Sequence, residues 1–203
     1  MEFGQNPVDL VKYASSILRA TAERIIENME LYLQAVGKYI DTILISGTDF
    51  GAQHGEIFNP QTVKELHCPN YKLINDYVHK HSDVKTMFHS CGSIFNIIDG
   101  FIEAGVDILN PIHTNAYHMD PAELKHRFGD RIVFWGGGIE TQTVLPHGSR
   151  EEVVEQVTER LRIFGKGGGF VFSPVHNIQY GVPPRNVEAM IETVVNFREY
   201  ACV

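Results

Sequence analysis

Residues 86–92, Thr-Met-Phe-His-Ser-Cys-Gly, close an apolar run with a histidine and a cysteine two positions apart. Side chains alternate along a strand, so Met87, His89 and Cys91 share one face while Phe88 and Ser90 share the other. The bulky Phe88 suits a helix-packed outside, which leaves His89 and Cys91 facing the opposite way. Imidazole and thiolate suit zinc, and a catalytic zinc site takes three protein ligands and keeps one position open. A second reading stands beside it, a cysteine acting as a small hydrophobe next to a hydrogen-bonded histidine. A third donor at another strand end would favour the metal.

Other apolar runs end in polar residues too. Thr48 and Asp49 follow one, Asn110 and His113 another, Gly136, Gly137, Gly138 and Glu140 a third, and Ser173 and His176 a fourth. The starts of the same runs offer Asp41, Lys85, Asp107 and Arg131, a solvated rim. Asp49 serves either to cap its loop or to orient a substrate or a ligand histidine. The glycine run either makes a tight turn or lets backbone N–H groups approach a ligand. Asn110-Pro111 ends a strand or binds substrate. His113, His118, His126 and His147 read as surface residues, Cys68 as packing and Cys202 as a tail residue.

Short apolar segments at 41–47, 85–92, 106–112, 131–138 and 169–176 read as buried strands, each closed by Gly, Pro or Asn. Helical patterns lie between them. The longest runs from Pro7 to Gly37, with Ile17, Leu18, Ile25, Ile26, Met29, Leu33 and Val36 on one face. A second starts after Asn59-Pro60, and a third has Ser93 as N-cap and stops at Gly105. Asp120 caps a fourth, Ser149 and Glu152 open a fifth with a capping box, and residues 183–200 close the chain.

Strands alternating with helices specify parallel βαβ units, and ligands then bind at the carboxyl ends of the strands. An open doubly wound sheet would carry G-x-G-x-x-G after its first strand, and Ser46–Gly55 does not fit it. Five strands are too few to close a barrel, and the pattern opens on a helix. The expected fold is α/β, a partial TIM (β/α)8 barrel comprising strands 4–8 with their helices, in one domain over residues 1–203.

A net charge of −8 argues against nucleic acid or an anionic membrane as the main partner. No stretch approaches the ~18 apolar residues of a membrane span, and the N-terminus lacks a signal-peptide pattern. Three well-separated cysteines in such a chain fit reduced thiols in the cytoplasm.

Three segments carry a family resemblance: residues 88–112, 134–153 and 167–190. Together they resemble the uroporphyrinogen decarboxylase family, which includes corrinoid-dependent methyltransferases, over residues 8–200. The resemblance implies the C-terminal part of a (β/α)8 barrel. In the methyltransferase branch an H-x-C pair and a downstream cysteine bind a zinc that holds the acceptor thiol as thiolate. His89 and Cys91 match the pair, and His176 stands about where the cysteine should be. The decarboxylase branch carries a histidine there.

The expectations are therefore zinc on His89, Cys91 and His176, catalytic roles for His176 and Asp49, and substrate contacts from Thr48, Asn110, Gly136, Gly137 and Gly138. The favoured chemistry is zinc-assisted methyl transfer from a methylated corrinoid, or its corrinoid protein, to a small-molecule thiol. Metal-free decarboxylation in porphyrin biosynthesis is the alternative, and a non-catalytic barrel fragment or assembly module the second. Unpaired strand edges imply a homo-oligomer or a need for the absent N-terminal half of the barrel.

Overall fold

The computed structural model describes residues 7–197. Helix α1 (Pro7–Val36) leads into β1 (Thr42–Ser46), whose Ile43 and Ile45 are buried while Leu44 faces the other way. A small antiparallel ribbon follows, β2 (Gly51–Ala52) and β3 (Gly55–Glu56), which the alternation of strands and helices did not announce. Asn59 caps α2 (Pro60–Thr62), which runs through a π-helical turn (Val63–His67) into α3 (Cys68–His81). Then come β4 (Lys85–His89), α4 (Ile98–Glu103), β5 (Ile108–Asn110), α5 (Pro121–Phe128) and β6 (Val133–Trp135). The described residues close with α6 (Val144–His147), α7 (Arg150–Gly165), β7 (Phe170–Val171) and α8 (Pro184–Asn196).

Among the described residues, β1, β4, β5, β6 and β7 form a five-stranded sheet in that order, every neighbouring pair parallel. No strand order reverses, so each helix returns the chain to the next strand along, the winding of a (β/α)8 barrel rather than of a doubly wound sheet. The helices cover one face only. Ile43, Phe88, Leu109 and Phe134 point into them and are 8%, 0%, 0% and 0% exposed. The opposite face presents Leu44, Met87, Ile108 and Val133 in register across the strands, and Leu44 is 52% exposed. The fold is thus part of a TIM-like barrel with its helical layer in place.

Local signals explain most boundaries. The Asp120 side chain accepts the Glu123 N–H at 2.9 Å, and Ser149 and Glu152 close a reciprocal capping box. Three expectations need correction. Ile17 was placed on the packed face of α1 but is 49% exposed. The reason is its position around the helix: Ala14, Leu18, Ala22, Ile25 and Met29 form the half-buried or buried stripe, and Ile17 lies to one side of it. Ser93 does not cap α4. Its N–H donates to Ala52 O at 2.9 Å, pinning the ribbon, and the helix starts at Ile98. The last strand is only Phe170–Val171, so His176 lies in a loop beyond it. Cys202 and residues 198–200 of the expected final helix lie outside the described residues. No helix among the described residues is long and apolar enough to cross a membrane.

Candidate metal centre

His89 ends β4, and the parallel register sets it beside Asn110, the last residue of β5. Its Nδ1 lies 2.8 Å from Asn110 Oδ1, while Asn110 Nδ2 donates to Trp135 O at 3.1 Å. With the amide so oriented, Nδ1 must carry a proton, and in the neutral ring the lone pair is on Nε2. That lone pair faces Cys91 Sγ at 3.5 Å and Asp49 Oδ1 at 3.9 Å. Asn110 was expected to touch substrate. Its amide oxygen orients the histidine and its amide nitrogen is anchored on the Trp135 carbonyl, while the residue also lines the cavity beside His89.

Asp49 arrives from β1 by a loop whose next residue is a plug. Phe50 is fully buried among Phe58, His67, Tyr71, Phe88 and Phe101, and its N–H donates to the buried Ser90 Oγ at 2.9 Å. Asp49 Oδ1 then accepts the Cys91 N–H at 2.8 Å. The two loops could not meet with a larger residue at 92: Gly92 has φ +83°, and a Cβ there would lie 2.3 Å from the Gly51 carbonyl carbon.

The ligand atoms of Asp49, His89 and Cys91 lie within 4.8 Å of one another. Tetrahedral zinc with ordinary bond lengths holds its donors about 3.4–3.6 Å apart, so the 3.5 Å His89–Cys91 separation suits such an ion and the 3.9 Å one needs a small adjustment. The donor set also fits in charge, because one thiolate, one carboxylate and one neutral imidazole offset a dication. Without an ion the thiol is held protonated. Burial first, then the adjacent Asp49 carboxylate, pushes Cys91 up to about 11.

His176 is not a member of this group of three. It is exposed and lines, with His89, Asn110, Pro111 and the 173–178 loop, a cavity of about 360 Å³. Thr48 is exposed beside Asp49, its hydroxyl 3.3 Å from Ser46 Oγ. The three glycines are buried in the turn after β6. The N–H groups of Gly136 and Gly138 donate to Val171 O and Ser173 O at 3.0 and 2.9 Å, extending the ladder rather than meeting a ligand. A Cβ at Gly138 would lie 2.3 Å from the Phe172 ring, so close packing accounts for glycine there.

His113 corrects the surface reading of its type. It is half-buried, and its Nδ1 accepts the Gly92 N–H at 3.0 Å. Glu140, 6% exposed, accepts from Asn115 Nδ2 at 2.6 Å and from the Thr143 hydroxyl. Both residues stand at strand ends in the sequence. Only the folding of their loops shows that they reach one another's neighbourhood.

The profile of the family described as uroporphyrinogen decarboxylase (URO-D) matches residues 9–197. The uroporphyrinogen decarboxylase of Shewanella loihica is 24% identical over 182 residues, 87% of this chain and 48% of its own length. That of Coxiella burnetii is 31% identical over 78 residues, 38% of this chain and 21% of its own. A methyltransferase from Methanosarcina mazei superposes with a TM-score of 0.56 at 17% identity, over 75% of this chain and 41% of that one, a likeness of fold. The chain spans less than half the length of these relatives. It belongs to the uroporphyrinogen decarboxylase family.

Proposed function

We propose that the chain serves an enzyme that moves a methyl group from a methylated corrinoid to a small thiol, with zinc held by His89 and Cys91 and with Asp49 as the nearest third donor. The observation that carries this reading is the His89 imidazole. Asn110 fixes its proton on Nδ1, and its bare Nε2 faces the Cys91 sulfur at 3.5 Å. A histidine ligand oriented through its other nitrogen is the usual arrangement around zinc. Zinc bound there would lower the pKa of an acceptor thiol enough to supply a thiolate near neutral pH.

The chain's own residues have distinct tasks. His89 gives its Nδ1 proton to Asn110 Oδ1 in a hydrogen bond, which aims Nε2 at the Cys91 sulfur. Cys91 gives up its proton when a cation binds, and Asp49 keeps accepting the Cys91 N–H while its other lone pairs remain available. His176, on the wall of the cavity that His89 and Asn110 also line, takes the proton of the incoming thiol. The lining combines His, Asn and Ser with Pro, Val and Ile, and so suits a small ligand with few charges.

The curated relatives favour a second reading, decarboxylation of a porphyrinogen, in which His176 would serve proton transfer without a metal. The exposed inner face, with Leu44 52% and Val171 36% exposed, supports a third element: the sheet works with further strands, from a barrel half or from another copy of the chain. The test supplies zinc-loaded protein with methylcobalamin and small thiols, and separately with uroporphyrinogen. Thioether formation that falls at least about 100-fold in Cys91→Ala supports methyl transfer. Carbon dioxide release from uroporphyrinogen by metal-free protein, unaffected by Cys91→Ala, would replace it with the decarboxylase.

A further inference from the structure

Cys91 lies two residues beyond the end of β4, outside the ladder that holds His89. Its place depends on what grips the loop. Its own N–H is held by Asp49 Oδ1 at 2.8 Å, and the next N–H, that of Gly92, by His113 Nδ1 at 3.0 Å. An imidazole nitrogen that accepts a hydrogen bond is unprotonated, so His113 carries its proton on Nε2. His89 has the opposite form, with the proton on Nδ1. Two histidines thus flank the Cys91–Gly92 peptide in opposite tautomers. One turns a lone pair toward the sulfur, and the other turns a lone pair toward the backbone.

The support behind His113 runs deeper into the molecule. Its Nε2 is buried and closes no hydrogen bond, and Asn115 Oδ1 is in the same condition. The Asn115 side chain nevertheless interacts with the ring. From there the chain of contacts is firm. Asn115 Nδ2 donates to Glu140 Oε1 at 2.6 Å, and the Glu140 N–H donates to Gln156 Oε1, on α7, at 2.8 Å. A buried carboxylate is costly to place, and this one holds the loop that bears His113.

We propose that His113 is a positioning residue for the Asp49–His89–Cys91 group. Backed by Asn115 and Glu140, it holds the Gly92 amide and so the direction in which the Cys91 side chain leaves the backbone. What the held cysteine does rests on the metal reading given above. That it is held rests on the hydrogen bonds alone.

Two variants separate positioning from bulk structure. His113→Asn places an amide oxygen where Nδ1 sits, and His113→Leu removes the acceptor while keeping apolar bulk. Cobalt(II), followed by its thiolate charge-transfer absorption, is the metal probe. Cobalt affinity is expected to fall about 10–100-fold in His113→Leu and to recover to within about threefold of wild type in His113→Asn, with near-ultraviolet circular dichroism alike in all three. Equal affinity and spectrum in wild type and His113→Leu would overturn the proposal, as would equal loss in both variants with the fold intact. If the wild type binds no cobalt, the metal reading fails, and hydrogen exchange of the Gly92 amide decides this one. Exchange at least about tenfold faster in His113→Leu but not in His113→Asn upholds it, and equal protection in all three overturns it.

Discussion

The two faces of the sheet have been given opposite work. On the outer face Phe88 stacks on Phe101 with ring centroids 4.3 Å apart, and the buried Phe50 and half-buried Tyr71 meet them edge-on or tilted. On the inner face the same strands carry Leu44, Met87 and Val133 open or half-open, and then His89 and Asn110 at the upper end. Alternation along a single strand therefore separates what holds the fold from what offers chemistry. The two are joined at Phe50, buried in the outer cluster while its neighbour Asp49 reaches the site.

The largest effect should come from breaking the outer face. Phe101→Ala is expected to cost about 3–5 kcal/mol by lost contacts and a residual cavity, measured by urea unfolding. Leu44→Ala, on the inner face at 52% exposure, should change stability by no more than about 0.5 kcal/mol. Similar costs at the two positions would erase the distinction between the faces. Next in size is Asn110→Leu, which removes the acceptor that fixes the His89 tautomer. Zinc affinity should fall about 10–100-fold in a chelator competition, with the urea midpoint little changed. An unchanged affinity would mean that His89 needs no orientation.

The strands were legible because short apolar runs end in Gly, Pro or Asn, and all five main-sheet strands fall within the runs marked at 41–47, 85–92, 106–112, 131–138 and 169–176. The H-x-C spacing likewise placed His89 and Cys91 together. What escaped was long-range loop geometry. Nothing in the spacing tells that Phe50 plugs a core and thereby delivers Asp49, or that Ser93 gives its amide to Ala52 instead of capping a helix. His113 was hidden for the same reason. A histidine three residues past Asn110 looks like a loop residue until the Gly92 amide is seen on its Nδ1.

The smallest effect belongs to the solvated helical surface. Lys72 and Asp76 form an i, i+4 pair at 2.7 Å with both side chains more than half exposed. Lys72→Ala should alter stability by no more than about 0.5 kcal/mol in low salt, and less as salt is raised. A larger loss would show that the outside of the helical layer contributes more than its exposure implies.

The most direct test is zinc titration of metal-free protein in weak buffer with a pH indicator, for wild type and Cys91→Ala. Since Cys91 is pushed up to about 11, its thiol is protonated at neutral pH and must lose that proton to solvent when its sulfur ligates a cation. Below that value, affinity should therefore rise about tenfold for each unit by which pH is raised. The expected result is one zinc per chain with about one proton released from Cys91, the affinity and the proton both lost in Cys91→Ala. Absence of zinc binding, or binding in Cys91→Ala equal to wild type, would contradict a metal centre at Asp49, His89 and Cys91.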